Sequence, residues 1–154
     1  MKNASGIAQF ILRFALGLGF ILPVMDRLGW MGAPGSAGVA WGDWSHFIDY
    51  THTLVPFLNR PLANIMGIFA TMAESTFGVC LILGFKIKQM ALGAAILTCS
   101  FGICMAVFIG IAAPFGYPVF VFTGAALVLS GLGRWQWSID HYLATPSTPE
   151  SQTM

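Results

Sequence analysis

Two residues of opposite charge lie inside long apolar runs of this 154-residue chain: Arg13 within 7–25 and Glu74 within 62–83. A charge at bilayer depth is costly unless it is paired or faces water, so such residues mark sites of function or of specific helix pairing. Counted inward from the same end of an antiparallel helix pair, Arg13 lies six residues deep and Glu74 nine, roughly 9 and 13 Å at helical rise. That match predicts an ion pair between the two runs, which would hold their register. Thr71 and Ser75 lie close enough on the second run to donate hydrogen bonds to Glu74, and Thr76 can bond a backbone carbonyl. Two plainer readings stand beside this one. Arg13 could snorkel to the nearby membrane face. Glu74 is too deep for that and needs an internal partner or a wet cavity, the latter being the requirement of a proton-coupled carrier.

Other chemistry-bearing types are placed less suggestively. His46, Asp49 and His52 could ligate a metal, but spacings of three spread them over about 120° of helix surface. They read as a solvated polar face, with no metal assigned. His46, His52 and His141 all fall outside the apolar runs, where a membrane haem would find no axial ligand. Cys80, Cys99 and Cys104 form no Cys-x-x-Cys pair, and Cys99 and Cys104 point about 140° apart. They read as small packing residues, and Met66, Met72, Met90 and Met105 as core or lipid-facing. No phosphate loop, nucleophile elbow or zinc signature is present. Catalytic residues are therefore left unassigned.

The elements that must position Arg13 and Glu74 follow from composition. Hydrophobic residues make up 56% of the chain and charged residues 8%, against about 25% charged in an ordinary soluble domain. This is the composition of an integral membrane protein, and a net charge of +1 without a Lys/Arg cluster argues against a nucleic-acid partner. A bilayer core of about 30 Å needs about 20 helical residues. Four stretches qualify: 7–25, 62–83, 90–112 and 115–132. They are continuously apolar, without the alternation of a barrel strand. The expected fold is an all-α membrane domain over 1–143, an antiparallel four-span bundle, followed by a disordered polar tail over 144–154. The first run carries Arg13 and lacks an Ala-x-Ala site, so it reads as a retained helix and not a secretory signal.

Orientation follows from the basic residues outside the spans. Lys2, Lys86, Lys88 and Arg134 fall on one side, and Arg27 and Arg60, diluted by Asp26, Asp43 and Asp49, on the other. Both termini are expected in the cytoplasm of a bacterial-type inner membrane. Trp30, Trp41 and Trp44 would belt the outer interface, and Trp135, Trp137 and Tyr142 the inner one. Within the outer loop 26–61, residues 29–42 are glycine-rich and read as irregular. Asp43 can then cap an interfacial amphipathic helix bearing Trp44, Phe47, Ile48, Thr51, Leu54 and Val55 on one face and ending at Pro56. Its Trp44 and Phe47 would face lipid or the bundle mouth. Small residues four apart, Ala15 and Gly19, Ala63 and Gly67, and Gly102, Ala106 and Gly110, permit close helix packing or, on the third span, a dimer contact.

Residues 73–86, with Glu74, Gly78, the run Leu81, Ile82 and Leu83, Gly84 and Lys86, resemble the DoxX/DoxD-like pattern of an acidic residue, a spaced glycine, a leucine run and a glycine before a basic turn. Arg13, Phe14, Ala15, Leu16 and Gly17 are similar to that family's first-helix Arg motif, and 44–57 to its outer segment. The resemblance covers about 8–133. Where many members carry His-Gly and a Lys at the outer end of helix one, this chain has Leu22, Pro23, Val24, Met25, Asp26 and Arg27. The resemblance implies a four-helix membrane bundle and, in some relatives, a small subunit of quinol-linked oxidase or thiosulfate:quinone oxidoreductase systems. Three functions are then expected in turn. The first is an accessory subunit of a membrane quinone oxidoreductase, with a redox-protein partner or a homo-oligomer and with no intrinsic cofactor beyond a quinone. The others are a non-catalytic scaffold aligned by Arg13 and Glu74, and a small proton-coupled transporter using Glu74.

Overall fold

Long apolar sequences without proline in their middles make long helices, and the computed structural model, which describes residues 2–133 and 135–144, is helical throughout its regular segments. In chain order these are α1 (Lys2–Arg27), α2 (Trp44–Leu54), α3 (Arg60–Leu83), α4 (Ile87–Phe108), α5 (Ala113–Gly116), α6 (Val119–Gly131) and α7 (Ile139–Ala144). Three of them, α1, α3 and α4, are long and apolar enough to cross a membrane. The fourth apolar stretch is divided. Pro118 precedes α6 and has no N–H to continue a helix through it, so α6 has 13 residues, about 20 Å of rise against a core of about 30 Å. Arg134 and residues 145–154, the basic residue and most of the polar tail of the sequence reading, lie outside the described residues.

The burial pattern departs from a soluble protein's in leaving large apolar groups outside while burying charged ones. On α1 the exposed face is Ile7, Ile11, Phe14, Leu18 and Leu22, while the buried face is Gln9, Arg13, Leu16, Phe20, Val24 and Arg27. Large apolar groups on the outward face, with Gln9, Arg13 and Arg27 turned inward among Leu16, Phe20 and Val24, suit a lipid solvent, in which close packing and internal hydrogen bonds drive helix association.

Three contacts set the registers. Gly17 and Gly78 bring α1 against α3 so closely that a Cβ on either would lie 3.0 Å from the other's carbonyl oxygen. Thr98 and Thr123 share a hydrogen bond of 2.9 Å between α4 and α6, and Phe120 lies where a Gly102 side chain would stand. Ala91, Ala94 and Ala95 of α4 and Ala126 and Leu129 of α6 join Leu16, Phe20, Leu81 and Ile87 in one core. Of the small-residue positions, Gly19 faces Phe122, Gly67 receives Phe47 and Ile48, and Gly102 receives Phe120. All three glycines accept an aromatic or branched side chain from within the chain. The closest backbone approach, Gly17 to Gly78, lies outside the small-x-x-x-small pairs.

Between α3 and α4 the chain reverses at Gly84, whose φ of 74° closes α3 with a left-handed cap. The segment after α6 then folds back over this end. Asp140 accepts from the amides of Lys86 at 2.8 Å and Ile87 at 2.7 Å, capping the N-terminus of α4 from the far end of the sequence. Its own amide donates to Gly84 at 3.0 Å.

Candidate functional site

Arg27 is the last residue of α1, two helical turns beyond Phe20 on the buried face. Its Nε donates to the Pro23 carbonyl at 3.0 Å, Nη1 to Thr71 Oγ1 at 2.9 Å, and Nη2 to Glu74 Oε2. This last contact is a buried ion pair, with side-chain exposures of 2% for Arg27 and 8% for Glu74. Thr71 passes the bond on, donating to the Gly67 carbonyl at 2.8 Å. Every nitrogen of the guanidinium thus has an acceptor.

Two aromatic rings cover the cation. The Phe47 ring centroid lies 4.0 Å from Arg27 Cζ and that of Trp41 lies 5.4 Å away, within cation–π range. Phe47 arrives on α2, which Asp43 starts by accepting from the His46 amide at 2.9 Å. Trp41 arrives on the glycine-rich loop, and Asp26 holds it there. The Asp26 carboxylate accepts from the amides of Ala40, Trp41 and Gly42 at 2.9, 3.1 and 3.0 Å. Adjacent residues at the end of α1 therefore divide the work: Asp26 folds the loop, and Arg27 binds α3 beneath it.

The expected Arg13–Glu74 pair does not form. Arg13 lies against Gly84, ten residues beyond Glu74 in the chain and roughly 15 Å along a helix. The depth count failed because it took the near ends of the two helices as level. In fact α1 continues past the end of α3, so that Gln9 reaches the Gln136 carbonyl at 2.9 Å and Arg13 the Trp137 carbonyl at 2.8 Å. Arg13 also does not snorkel, since it is 1% exposed. Glu74 does have the internal partner its depth demands, but the partner is Arg27. Thr71 serves the site through Arg27 and not through Glu74, and Ser75 turns back to the Thr71 carbonyl at 2.7 Å. Thr76 bonds the Met72 carbonyl at 2.8 Å.

The group His46, Asp49 and His52, with Trp44, separates. His46 meets Asp43 at 2.9 Å, Asp49 accepts from Arg60 at 2.7 Å, His52 meets the Leu58 carbonyl at 2.9 Å, and Trp44 donates to Asn64 Oδ1 at 2.8 Å. Among the described residues no three His, Cys, Asp or Glu side chains converge as metal ligands. The hydrogen bond from the His46 amide holds the Asp43 carboxyl below its ordinary value.

Arg27, Asp26, Trp41, Gln9 and Asp140 were missed as site residues. One signal was available: Arg27 follows Arg13 by fourteen residues, nearly four helical turns, and so shares its face. That signal is weak, because both Asp26 and Arg27 stand where an apolar run gives way to a polar loop, and there charges are normally solvated.

A quinone headgroup needs hydrogen-bonding groups with free positions beside an apolar slot. Arg27 offers no such slot, since each of its nitrogens already donates to an acceptor within the chain and the Trp41 and Phe47 rings lie over its guanidinium, so a headgroup would have to displace those rings. What the arrangement can do is fasten α1, α3, α2 and the loop at one point. Compared with protein families, with curated proteins and with solved structures, the chain gives no match.

Proposed function

We propose that this chain is a DoxX-type integral membrane protein that serves as an accessory subunit of a quinone-linked redox assembly, without catalytic chemistry of its own. The observation that carries the non-catalytic part is the commitment of all three Arg27 nitrogens to Pro23, Thr71 and Glu74 under two aromatic rings. A charge pair so enclosed acts as a brace. Electron transfer then belongs to a partner's cofactor or to a quinone held by that partner. The quinone link itself rests on the sequence resemblance.

The same reading takes α1, α3, α4 and the α5–α6 unit as four crossings of an antiparallel bundle in a bacterial-type inner membrane, with α2 at the outer interface. Contact of α6 with α4 from Thr123 to Leu129 supports the fourth crossing. Enclosure of Arg27 also sharpens the charge count: Arg60 is left as the basic residue of the outer loop, itself paired with Asp49. Lys86 and Lys88 remain on the other side, which supports cytoplasmic termini.

Purification in mild detergent, followed by native mass spectrometry and an absorption spectrum, tests this function. A copurifying redox protein or quinone is the expected result. A chain that carries neither overturns the accessory role and leaves the scaffold.

A further inference from the structure

Arg13 and Arg27 are both buried, yet they are compensated differently. Arg27 has a carboxylate in contact, whereas Arg13 Nη2 donates to a neutral carbonyl, that of Trp137, at 2.8 Å. Its guanidinium lies 5.3 Å from the Phe10 ring centroid. Among the described residues nothing accepts from Arg13 Nε or Nη1. Asp140 interacts with Arg13 through space, and its oxygens accept from the Lys86 and Ile87 amides. One helical turn before Arg13, Gln9 Nε2 donates to the Gln136 carbonyl at 2.9 Å, and Gln9 Oε1, also buried, lacks a donor.

The chemical demand of this cluster is specific. It presents a full positive charge with unused donors beside an unused neutral acceptor. Nε and Nη2 form one edge of a guanidinium, the edge that grips two oxygens of a phosphate at once. The Trp137 carbonyl holds only the Nη2 half of that edge. Nη1 faces the Gly84 backbone, where even a Cβ would come within 2.6 Å, so a ligand is directed to the Nε–Nη2 side. The cover there is the 136–138 segment, in which Trp137 holds a left-handed φ of 52° and an exposed ring. A non-glycine residue in that region is strained.

We propose that Arg13 and Gln9 form a binding site for a phosphate group that carries or adjoins a hydroxyl. The phosphate oxygens meet the Nε–Nη2 edge in place of the Trp137 carbonyl, and the hydroxyl donates to Gln9 Oε1. Segment 136–138 covers the site and gives way as the ligand enters. Two sources offer this chemistry, a phosphatidylglycerol headgroup and free hydrogen phosphate. The proposal is independent of the accessory-subunit role, since it needs no partner.

The test uses the full chain in non-ionic detergent, with short-chain phosphatidylglycerol, short-chain phosphatidylcholine and inorganic phosphate as probes, read by native mass spectrometry. Phosphatidylglycerol is expected to bind, with affinity reduced about tenfold in Arg13→Gln, where the charge-assisted contact is lost. A smaller reduction is expected in Gln9→Leu, and none in Lys86→Gln/Lys88→Gln. Phosphatidylcholine, which lacks a hydroxyl donor, binds more weakly. Competition by inorganic phosphate assigns the free anion as a ligand, and its absence assigns the lipid. Equal phosphatidylglycerol affinity in wild type and Arg13→Gln, or a loss confined to the lysine variant, overturns the site. If Arg13→Gln fails to fold, amide exchange at Trp137 and Ser138 in the wild-type chain decides. Faster exchange on adding the ligand is expected, and unchanged exchange counts against the proposal.

Discussion

At Arg27, the cost of a buried charge has been met by a carboxylate, a hydroxyl, a carbonyl and two rings, and removal of either charged partner leaves the other buried without a counter-charge. Glu74→Gln or Arg27→Gln alone is expected to destabilise the chain by about 3–5 kcal/mol, because each strands a buried charge. Replacing both with apolar residues of similar volume, Arg27→Met with Glu74→Leu, should cost much less. Thermal unfolding of the four proteins in one detergent checks both statements, and equal losses for the single and double variants would sink the brace. Asp26→Ala should act on the loop instead, leaving the amides of Ala40, Trp41 and Gly42 to water. Faster hydrogen exchange at those three amides, with α1 and α3 unaffected, is the outcome to look for. Asp43 responds to acid. Its folded-state carboxyl titrates below the ordinary Asp value of 3.8, so its contribution to α2 is complete above that pH and disappears as the pH falls through the lower folded value. Exchange of the His46 amide followed through that acid range reads the loss of the cap.

Helix pairs in this chain depend on what is missing from their surfaces. The α1–α3 contact has no side chain between Gly17 and Gly78, and a Cβ on Gly78 would come within 2.8 Å of Ile21. Gly78→Leu must push the helices apart, with a cost of about 1–3 kcal/mol from overpacking. Because Arg27 and Glu74 share the same two helices, that variant should also weaken the ion pair. A double-mutant cycle between Gly78→Leu and Glu74→Gln should therefore be non-additive. Additivity within experimental error would mean that the two contacts are independent. The α4–α6 pair, joined by Thr98 and Thr123, should tolerate Gly78→Leu without change.

For the molecule as a whole, the loop between α1 and α2 and the last described segment play matching parts at opposite ends of the helices. Asp26 and Arg27 tie the loop to α1 and α3, while Asp140 ties α7 to the start of α4. Single cysteines introduced at Ser36 and Lys88, in a background without Cys80, Cys99 and Cys104, should label from opposite sides of a sealed vesicle if α1 and α3 cross. A cysteine at Asp140 should label from the same side as the one at Lys88. Labelling of Ser36 and Lys88 from one side would rule out a crossing by α3.

Much of this architecture was legible in the residues. The apolar content pointed to lipid as solvent, three of the four expected runs form long helices within a few residues of their expected ends, and Asp43 and Gly84 marked where helices begin and stop. Glu74 stood out because a carboxylate at that position has to find a partner. These are local properties, fixed by composition and by contacts a few residues apart. The partner is a different kind of fact. Whether Arg13 or Arg27 meets Glu74 depends on how far α1 slides along α3, and a helix one turn longer at its start moves every cross-pair by about 5 Å. Gly17 against Gly78 and the clasp of 135–144 on Gln9 and Arg13 set that slide. No segment read by itself contains that information, because register is decided by close packing between distant parts of the chain.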